Sequence, residues 1–500
     1  MTQVLERNFQ YHADRVAIID SYRQVTWRQF FERTAQLAAA VRELGVRQGE
    51  RAIIVSNDRI EVLELYFALA RAGVVFAPIN RSINGEELAY TLHNVRPSLV
   101  FATAELLSKL DFGDVPAFAV DTDDFARLGV SAPSRPLLPA VPEDTPAAIF
   151  HTSATTGRSK GVVVDQASFR AIALGWLSEV GRDEHMVLLN CCPLFHGSSV
   201  LSLTYMTQGA TVVLMGNFSP QAALALSAKH QATHIWLVPQ MLRFILKSKA
   251  LDSTDLSSVR EILYGAAPMP RALLAEAARR ISCGFRQVYG ITEAGGPFMT
   301  LGPDEHAALA EDAAAIPVGK VIPGMSIGFL DEEGVNFAPG SSGQICVRGP
   351  GVMHGYRNNP EATAEVFANG WLLSGDIGSI DHDGLVTLID RVKDVVLRAG
   401  QNIYPREIED VLHAHAEVAD AAVIGIPDDE YGEVPVAYVV PVAPVSNAEE
   451  FILGLRKHLA AHLTPYKTPA DIVLLEVMPR NPSGKILKKA LRLDYAERSN

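Results

Sequence analysis

From about residue 25 to 300 the chain alternates between two hydrophobic periods. Amphipathic stretches such as RQFFERTAQLAAAVRELGV, with apolar positions at helical spacing, precede short apolar runs of strand type: RAIIV, GVVFAPI, PSLVFAT and ATVVLMG. This order predicts α/β wiring. After about residue 320 the texture changes to short strands and Gly-rich turns, GQICVRGPGVMHGY followed by GSIDHDGLVTLIDR, with Asp383-Gly384 as a hairpin turn. A small β-rich subdomain fits that texture.

From Asp390 onward the pattern predicts a separate α+β unit of about a hundred residues. It reads as a strand over DVVLRAGQNIY, a helix PREIEDVLHAHA opened by Pro405, strands VADAAVIGI and VPVAYVVPV, a helix AEEFILGLRKHLAAHL and a basic tail. No internal repeat is visible, and the Ala-rich EHAALAEDAAA reads as a surface helix.

Composition narrows the class. Five hundred residues exceed one hydrophobic core, so two or more domains are expected. Hydrophobic residues at 48% and charged ones at 20% are globular, and the net charge of -13 argues against general nucleic-acid binding. The N-terminal stretch carries charges throughout and has no apolar core of the secretory kind, and no run approaches a membrane span. Four cysteines, two adjacent at Cys191 and Cys192, give neither a disulfide framework nor a zinc spacing, so a reduced, cytoplasmic setting is expected.

Candidate chemistry lies where polar residues interrupt strand-like runs. HTSATTGRSKGVVVD, residues 151 to 165, is a loop between two strands that offers hydroxyls, glycines and one ammonium, a donor set suited to polyphosphate. It is not a Walker loop, because Lys160 leads to Gly161 and a β-branched run instead of a helix; an ordinary hairpin connection is the competing reading. YGAAP at 264 to 268 and VYGITEAGG at 288 to 296 put small residues after apolar strands, as a flat ligand would require, with Tyr289 as stacking partner or else a core aromatic. Thr292 and Glu293 form a hard oxygen pair suited to Mg²⁺, although Glu293 also suits a helix start.

WLLSGDIG at 371 to 378 is expected to hold Asp376 in a Gly-flanked turn, able to accept from both hydroxyls of a ribose. Arg391 in DRVKD adds a fixed donor fork. Near the end, PRNPSGKILKKALR places Lys485 past a Pro-Ser-Gly turn, and Lys485, Lys488, Lys489 and Arg492 follow helical spacing. That stripe reads as a solvated face or as a phosphate contact.

TSATTGRSKG, YGAAP, YGITE, SGDIG…DRVKD…GQNIYPREIE and NPSGK, in this order over nearly the whole chain, resemble the adenylate-forming superfamily of acyl-CoA synthetases, adenylation domains and luciferases. The resemblance implies an α/β fold. A large N-terminal domain, 1–389, of two α/β subdomains and a small β subdomain would hold ATP and the acyl group. A mobile α+β C-terminal domain, 390–500, would hinge at Asp390. Thr152, Ser153, Thr155, Thr156 and Lys160 would hold the β and γ phosphates. Tyr289 and the segment Gly265, Ala266, Ala267 and Pro268 would sandwich adenine. Thr292 and Glu293 would serve Mg²⁺ and the α-phosphate, Asp376 and Arg391 the ribose, and Lys485 the attacking carboxylate. The strand around Gly400 would line the path of the CoA thiol.

The implied activity is AMP-forming ligation of a largely apolar carboxylic acid to CoA, with the closest texture in fatty-acyl ligases. FHGSS at 195 to 199, including a gating His196, and HIWLVPQML at 234 to 242 are expected at the acyl pocket. Trp236 is read as core and Arg243 as facing solvent. The family usually has Gly at position 154 and Pro at 159, where this chain has Ala154 and Ser159; a Cβ at 154 would crowd a phosphate. Three alternatives follow: a thioesterifier fed acyl-AMP by a separate adenylating enzyme, a carrier-protein loader, and an idle acyl- or nucleotide-binding protein. A homodimer is compatible with the sequence.

Overall fold

The computed structural model describes residues 1–133, 140–152, 159–309, 316–480 and 485–499. Ser153, Ala154, Thr155 and Thr156, and the NPSG that precedes Lys485, lie outside the described residues. Among the described residues the chain builds four sheets: nine-, seven- and six-stranded sheets in a large lobe and a five-stranded one in a small C-terminal lobe. This is the mixed α/β architecture with a smaller second domain that the pattern predicts.

The nine-stranded sheet positions the site. Its parallel centre runs Gly284–Ile291, Glu261–Gly265, His234–Leu237, Val187–Asn190 and Thr211–Leu214 in spatial order. Parallel strands covered on both faces read as continuous apolar runs, which is why ATVVLMG and HIWL show no alternation. The seven-stranded sheet is parallel through Pro146–His151, Val75–Ile79, Arg51–Val55 and Leu99–Ala102, and closes with the antiparallel strand Gly161–Asp165. The loop 152 to 160 therefore joins two antiparallel strands, as its flanks predict. The helix Trp27–Glu43 opens with a capping box between Thr26 and Gln29 and buries Trp27, Phe30, Phe31 and Leu37 against the large core.

Some close approaches admit only glycine. A Cβ on Gly265 would lie 2.1 Å from the carbonyl oxygen of Val288 on the neighbouring strand. The glycine of YGAAP is thus required by strand packing alone.

In the small lobe the helices Pro405–His413 and Ala448–His462 cover one sheet face through Ile408, Leu412, Leu455 and Leu459. The terminal helix Lys488–Ser499 covers the other through Leu491, against Ile424, Val436 and Tyr438.

Four local expectations are corrected. Asp376 lies not in a turn but inside the strand Trp371–Ile380, opposite Arg391, and the special backbone is confined to Gly375 at φ +75°. DVVLRAGQNIY is not one strand. It is a hairpin of Val396–Arg398 and Gln401–Ile403, because Ala399 and Gly400 both adopt left-handed φ, 49° and 79°, the demand of a tight two-residue turn. The helix in EHAALAEDAAA spans Pro303–Ala308, and 310–315 lie outside the described residues. The basic tail is not a single helical stripe: the helix begins at Lys488, after Lys485. Lys488 pairs with Glu409 at 2.9 Å and is mostly buried, and Arg492 pairs with Asp394 at 3.5 Å, while Lys489 is exposed, as a solvated face expects.

Candidate active site

The loops that follow the carboxyl ends of the parallel strands converge on one cavity of about 820 Å³. His196 follows Val187–Asn190, Phe218 follows Thr211–Leu214, Met241 follows His234–Leu237, Ala266 follows Glu261–Gly265, and Glu293 follows Gly284–Ile291. Open parallel sheets present their ligand crevice at this edge, where successive loops splay apart and leave a groove.

The cavity lining includes the apolar side chains Cys192, Val200, Leu201, Phe218, Trp236 and Phe244. Trp236 is buried, as its core reading requires, and also forms part of this lining. The lining also carries a polar set. Thr152, Lys160, Thr292, Glu293, Asp376 and Arg391 meet there, and Lys485 reaches it from the small lobe.

Tyr289 joins two sheets. Its hydroxyl donates to Asp376 Oδ2 at 2.6 Å, and Arg391 Nε forms an ion pair with Asp376 Oδ1 at 3.1 Å. Burial, followed by the Asp376 charge, holds the phenol well above its ordinary pKa, so it remains the donor. Both carboxylate oxygens are engaged, yet each has a second lone pair for a further donor. The Tyr289 ring packs edge-on against Phe298 at 5.4 Å between centroids, and the cavity lining contains Val288 and Gly290 but not Tyr289 itself.

Glu293 accepts from the hydroxyl of Tyr356 through Oε1 at 2.8 Å, and Lys160 Nζ stands 4.7 Å from the centre of the Tyr356 ring. Tyr356 therefore links the lysine that closes the loop to the carboxylate after YGIT. Across the neck of that loop the Thr152 N–H donates to the Lys160 carbonyl at 3.0 Å, and the Ser159 hydroxyl donates to the Thr152 carbonyl at 2.6 Å. Ser159 thus supplies by hydrogen bonding a restraint that a proline would supply through its ring.

Lys485 is pulled down to about 8, first by burial and then by Arg391, with Asp376 and Glu293 opposing. His196 is pulled down to about 4 by burial and then by the Lys485 ammonium, so it is a neutral imidazole at neutral pH, packed on Phe195 at 4.0 Å.

Of the expected site residues, Thr152, Lys160, His196, Ala266, Thr292, Glu293, Asp376, Arg391 and Lys485 lie on one cavity. Gly265, Ala267, Pro268 and Gly400 are not on its wall: Gly265 is taken up by strand contact, and Gly400 caps an exposed hairpin. Ser153, Thr155 and Thr156 lie outside the described residues. Arg243 is half-buried instead of solvated, and its Nη1 donates to the Ala419 carbonyl at 3.0 Å. Sequence reasoning missed Tyr356, Gln344 and Arg480, which also line the cavity. Gln344 accepts the Gly375 N–H at 3.2 Å and thereby holds the backbone beside Asp376. Gln344 and Tyr356 sit in ordinary strand sequence, whereas Arg480 lies in the PRNPSGK stretch and could have been found there.

The family profile described as AMP-binding enzyme matches residues 5–357, and that described as AMP-binding enzyme C-terminal domain matches residues 407–485. The chain belongs to the adenylate-forming superfamily of AMP-binding enzymes, in its acid–thiol ligase branch. Feruloyl-CoA synthase from Amycolatopsis sp is 34% identical to this ligase, over 94% of this chain and 93% of its own length. Fatty acid--[acyl-carrier-protein] ligase ScoC from Streptomyces coeruleorubidus is 33% identical, over 98% and 96%. Among solved structures, o-succinylbenzoate CoA synthetase (MenE) from Bacillus subtilis in complex with the acyl-adenylate intermediate OSB-AMP superposes with a TM-score of 0.85 at 30% identity, covering 98% of this chain and 97% of that one. No helix among the described residues is long and apolar enough to cross a membrane.

Proposed function

We propose that this ligase is an AMP-forming acyl-CoA synthetase that activates a largely apolar monocarboxylic acid with ATP and passes the acyl group to CoA. The observation that carries the reading is the entry of Lys485, from the small lobe, into the cavity lined also by Glu293 and Asp376 of the large lobe, by Arg391 at the boundary between the lobes and by apolar side chains.

A carboxylate acylates poorly because its charge is delocalised and its leaving group would be oxide. Attack of a carboxylate oxygen on the α-phosphorus of ATP forms the P–O bond of acyl-AMP while the bond to the bridging oxygen breaks and pyrophosphate departs. Lys485, with Lys160 and Arg391, places positive charge around that in-line transition state. Asp376 holds the ribose, and the neutral His196 completes the wall beside the reacting carboxylate. The thiol sulfur then attacks the acyl carbon and AMP leaves.

The residues fit Mg²⁺ of the phosphate-bridging kind. Among the described residues no cluster of three or more acidic, His or Cys side chains could hold a metal alone, whereas Glu293 and Thr292 supply hard oxygens beside a polyphosphate site. When bound there, the ion would neutralise charge on the phosphates.

We place the domain boundary at Asp390, whose buried carboxylate accepts the N–H groups of Arg391 at 2.7 Å and Arg406 at 2.8 Å, between the last strand of the large lobe and the first helix of the small one. Rotation there would withdraw Lys485 and bring the Gly400 hairpin to the thiol path. The buried or partly buried free cysteines suit a reducing, cytoplasmic setting. A second acceptor, a carrier-protein thiol, is supported by the likeness to the Streptomyces ligase.

The test is paired: pyrophosphate exchange with a panel of carboxylic acids, and thioester formation from chemically made acyl-AMP with CoA or a carrier protein. Both activities are expected with CoA. Thioester formation without exchange would turn the reading to a thioesterifier, and neither activity would refute a ligase. Gly400→Leu is expected to lose thioester formation while retaining exchange; equal losses would contradict the hairpin's role.

A further inference from the structure

We propose that Arg243 is a positioning residue that couples occupancy of the acyl cavity to the adenylating orientation of the small lobe. The proposal rests on the two-step reading above. The helix Pro239–Lys247 faces two ways. Gln240, Met241 and Phe244 line the cavity, while Leu242, Ile245 and Leu246 are buried in the core behind it. Arg243, on the same helix, reaches across to the small lobe, where its Nη1 donates to the Ala419 carbonyl at 3.0 Å. Its Nε is shielded from solvent without a hydrogen-bond partner, and the side chain as a whole is half-buried.

The acceptor is special for a structural reason. Strand Val418–Asp428 pairs with Gly432–Pro441, and the register shifts between Val418 and Asp420. Ala419 is the extra residue of this bulge and is left out of the ladder pairing. The next residue, Asp420, accepts from Arg480 Nη2 at 2.6 Å, and Arg480 lines the cavity. One bulge of the small lobe therefore holds an arginine from the acyl-side helix and another at the cavity itself.

Rotation of the small lobe away from this orientation breaks the Arg243 contact and returns both partners to water. An acid packed on Met241 and Phe244 fixes the helix that carries Arg243. Acid binding and this orientation consequently favour each other, and the coupling is reciprocal. One charge-assisted hydrogen bond corresponds to roughly a tenfold shift in that equilibrium.

The experiment compares wild type, Arg243→Ala and Arg243→Lys in both half-reactions, with hydrogen exchange of the segment around Ala419 measured with and without saturating acid. In Arg243→Ala, kcat/KM for the acid in pyrophosphate exchange is expected to fall roughly tenfold, with thioester formation from supplied acyl-AMP at or above the wild-type rate. Acid-dependent protection around Ala419 is expected to be lost. Arg243→Lys, which keeps a donor on a long stem, is expected to recover part of the exchange. Equal losses in both half-reactions would assign Arg243 a general structural role, and wild-type behaviour of Arg243→Ala would remove the coupling; either overturns the proposal. Absence of exchange in the wild type with every acid tested would instead refute the ligase reading, and protection around Ala419 by acid alone then decides the coupling separately.

Discussion

The displaced proton affinity of Lys485 makes the pH dependence of the first half-reaction predictable. In the adenylation step proposed above the tail ammonium acts in its charged form, but burial and Arg391 bring it from 10.5 to about 8. At 1.36 kcal/mol per decade, that displacement is about 3 kcal/mol of preference for the neutral amine in the empty cavity. The sign is that of a base made weaker: the active ammonium dominates below about 8 and is lost as pH rises through it. Because kcat/KM reports the free enzyme, kcat/KM for pyrophosphate exchange should hold level to about pH 7.5 and fall about tenfold by pH 9. Thioester formation from acyl-AMP, in which the proposed mechanism gives this lysine no part, should lack that limb. Arg cannot lose its proton in this range, so Lys485→Arg should be slower but level across the same window. The assay is pyrophosphate exchange from pH 6 to 10 at subsaturating acid. A wild-type profile level to pH 10, or the same alkaline limb in Lys485→Arg, would refute the reasoning.

Two further outcomes follow from the geometry. Tyr356→Phe removes the hydroxyl that donates to Glu293 at 2.8 Å but keeps the ring beside Lys160, so the KM for Mg·ATP should rise about five- to tenfold at an unchanged KM for acid, read in exchange assays with Mg²⁺ varied; an unaltered Mg²⁺ dependence would remove Tyr356 from the site. Gly265→Ala would place a Cβ 2.1 Å from the Val288 carbonyl, so the two strands must part, at a cost of about 1 to 3 kcal/mol and a melting temperature lowered by several degrees; a melting curve that matches wild type would show that the strands yield freely.

The sequence alone determined much of this protein, because much of its information is local. The alternation of helical and strand periods fixed the α/β class, since apolar spacing decides which face of an element is buried before any partner is known. The order of short polar segments fixed the family, and nine of the expected residues stand on one cavity. Tertiary structure decided what depends on pairing between distant segments. The hydrogen bonds of Asp376 to Tyr289 and of Glu293 to Tyr356 join residues 87 and 63 positions apart, and nothing in SGDIG or GYRNN announces them. Gly265 is required by a neighbouring strand, Lys488 and Arg492 are claimed by the carboxylates of Glu409 and Asp394, and Arg243 by a bulge 176 positions further on. A local pattern records what a residue buries against its own element; which polar group meets it across the fold is settled only when the sheets and lobes come together.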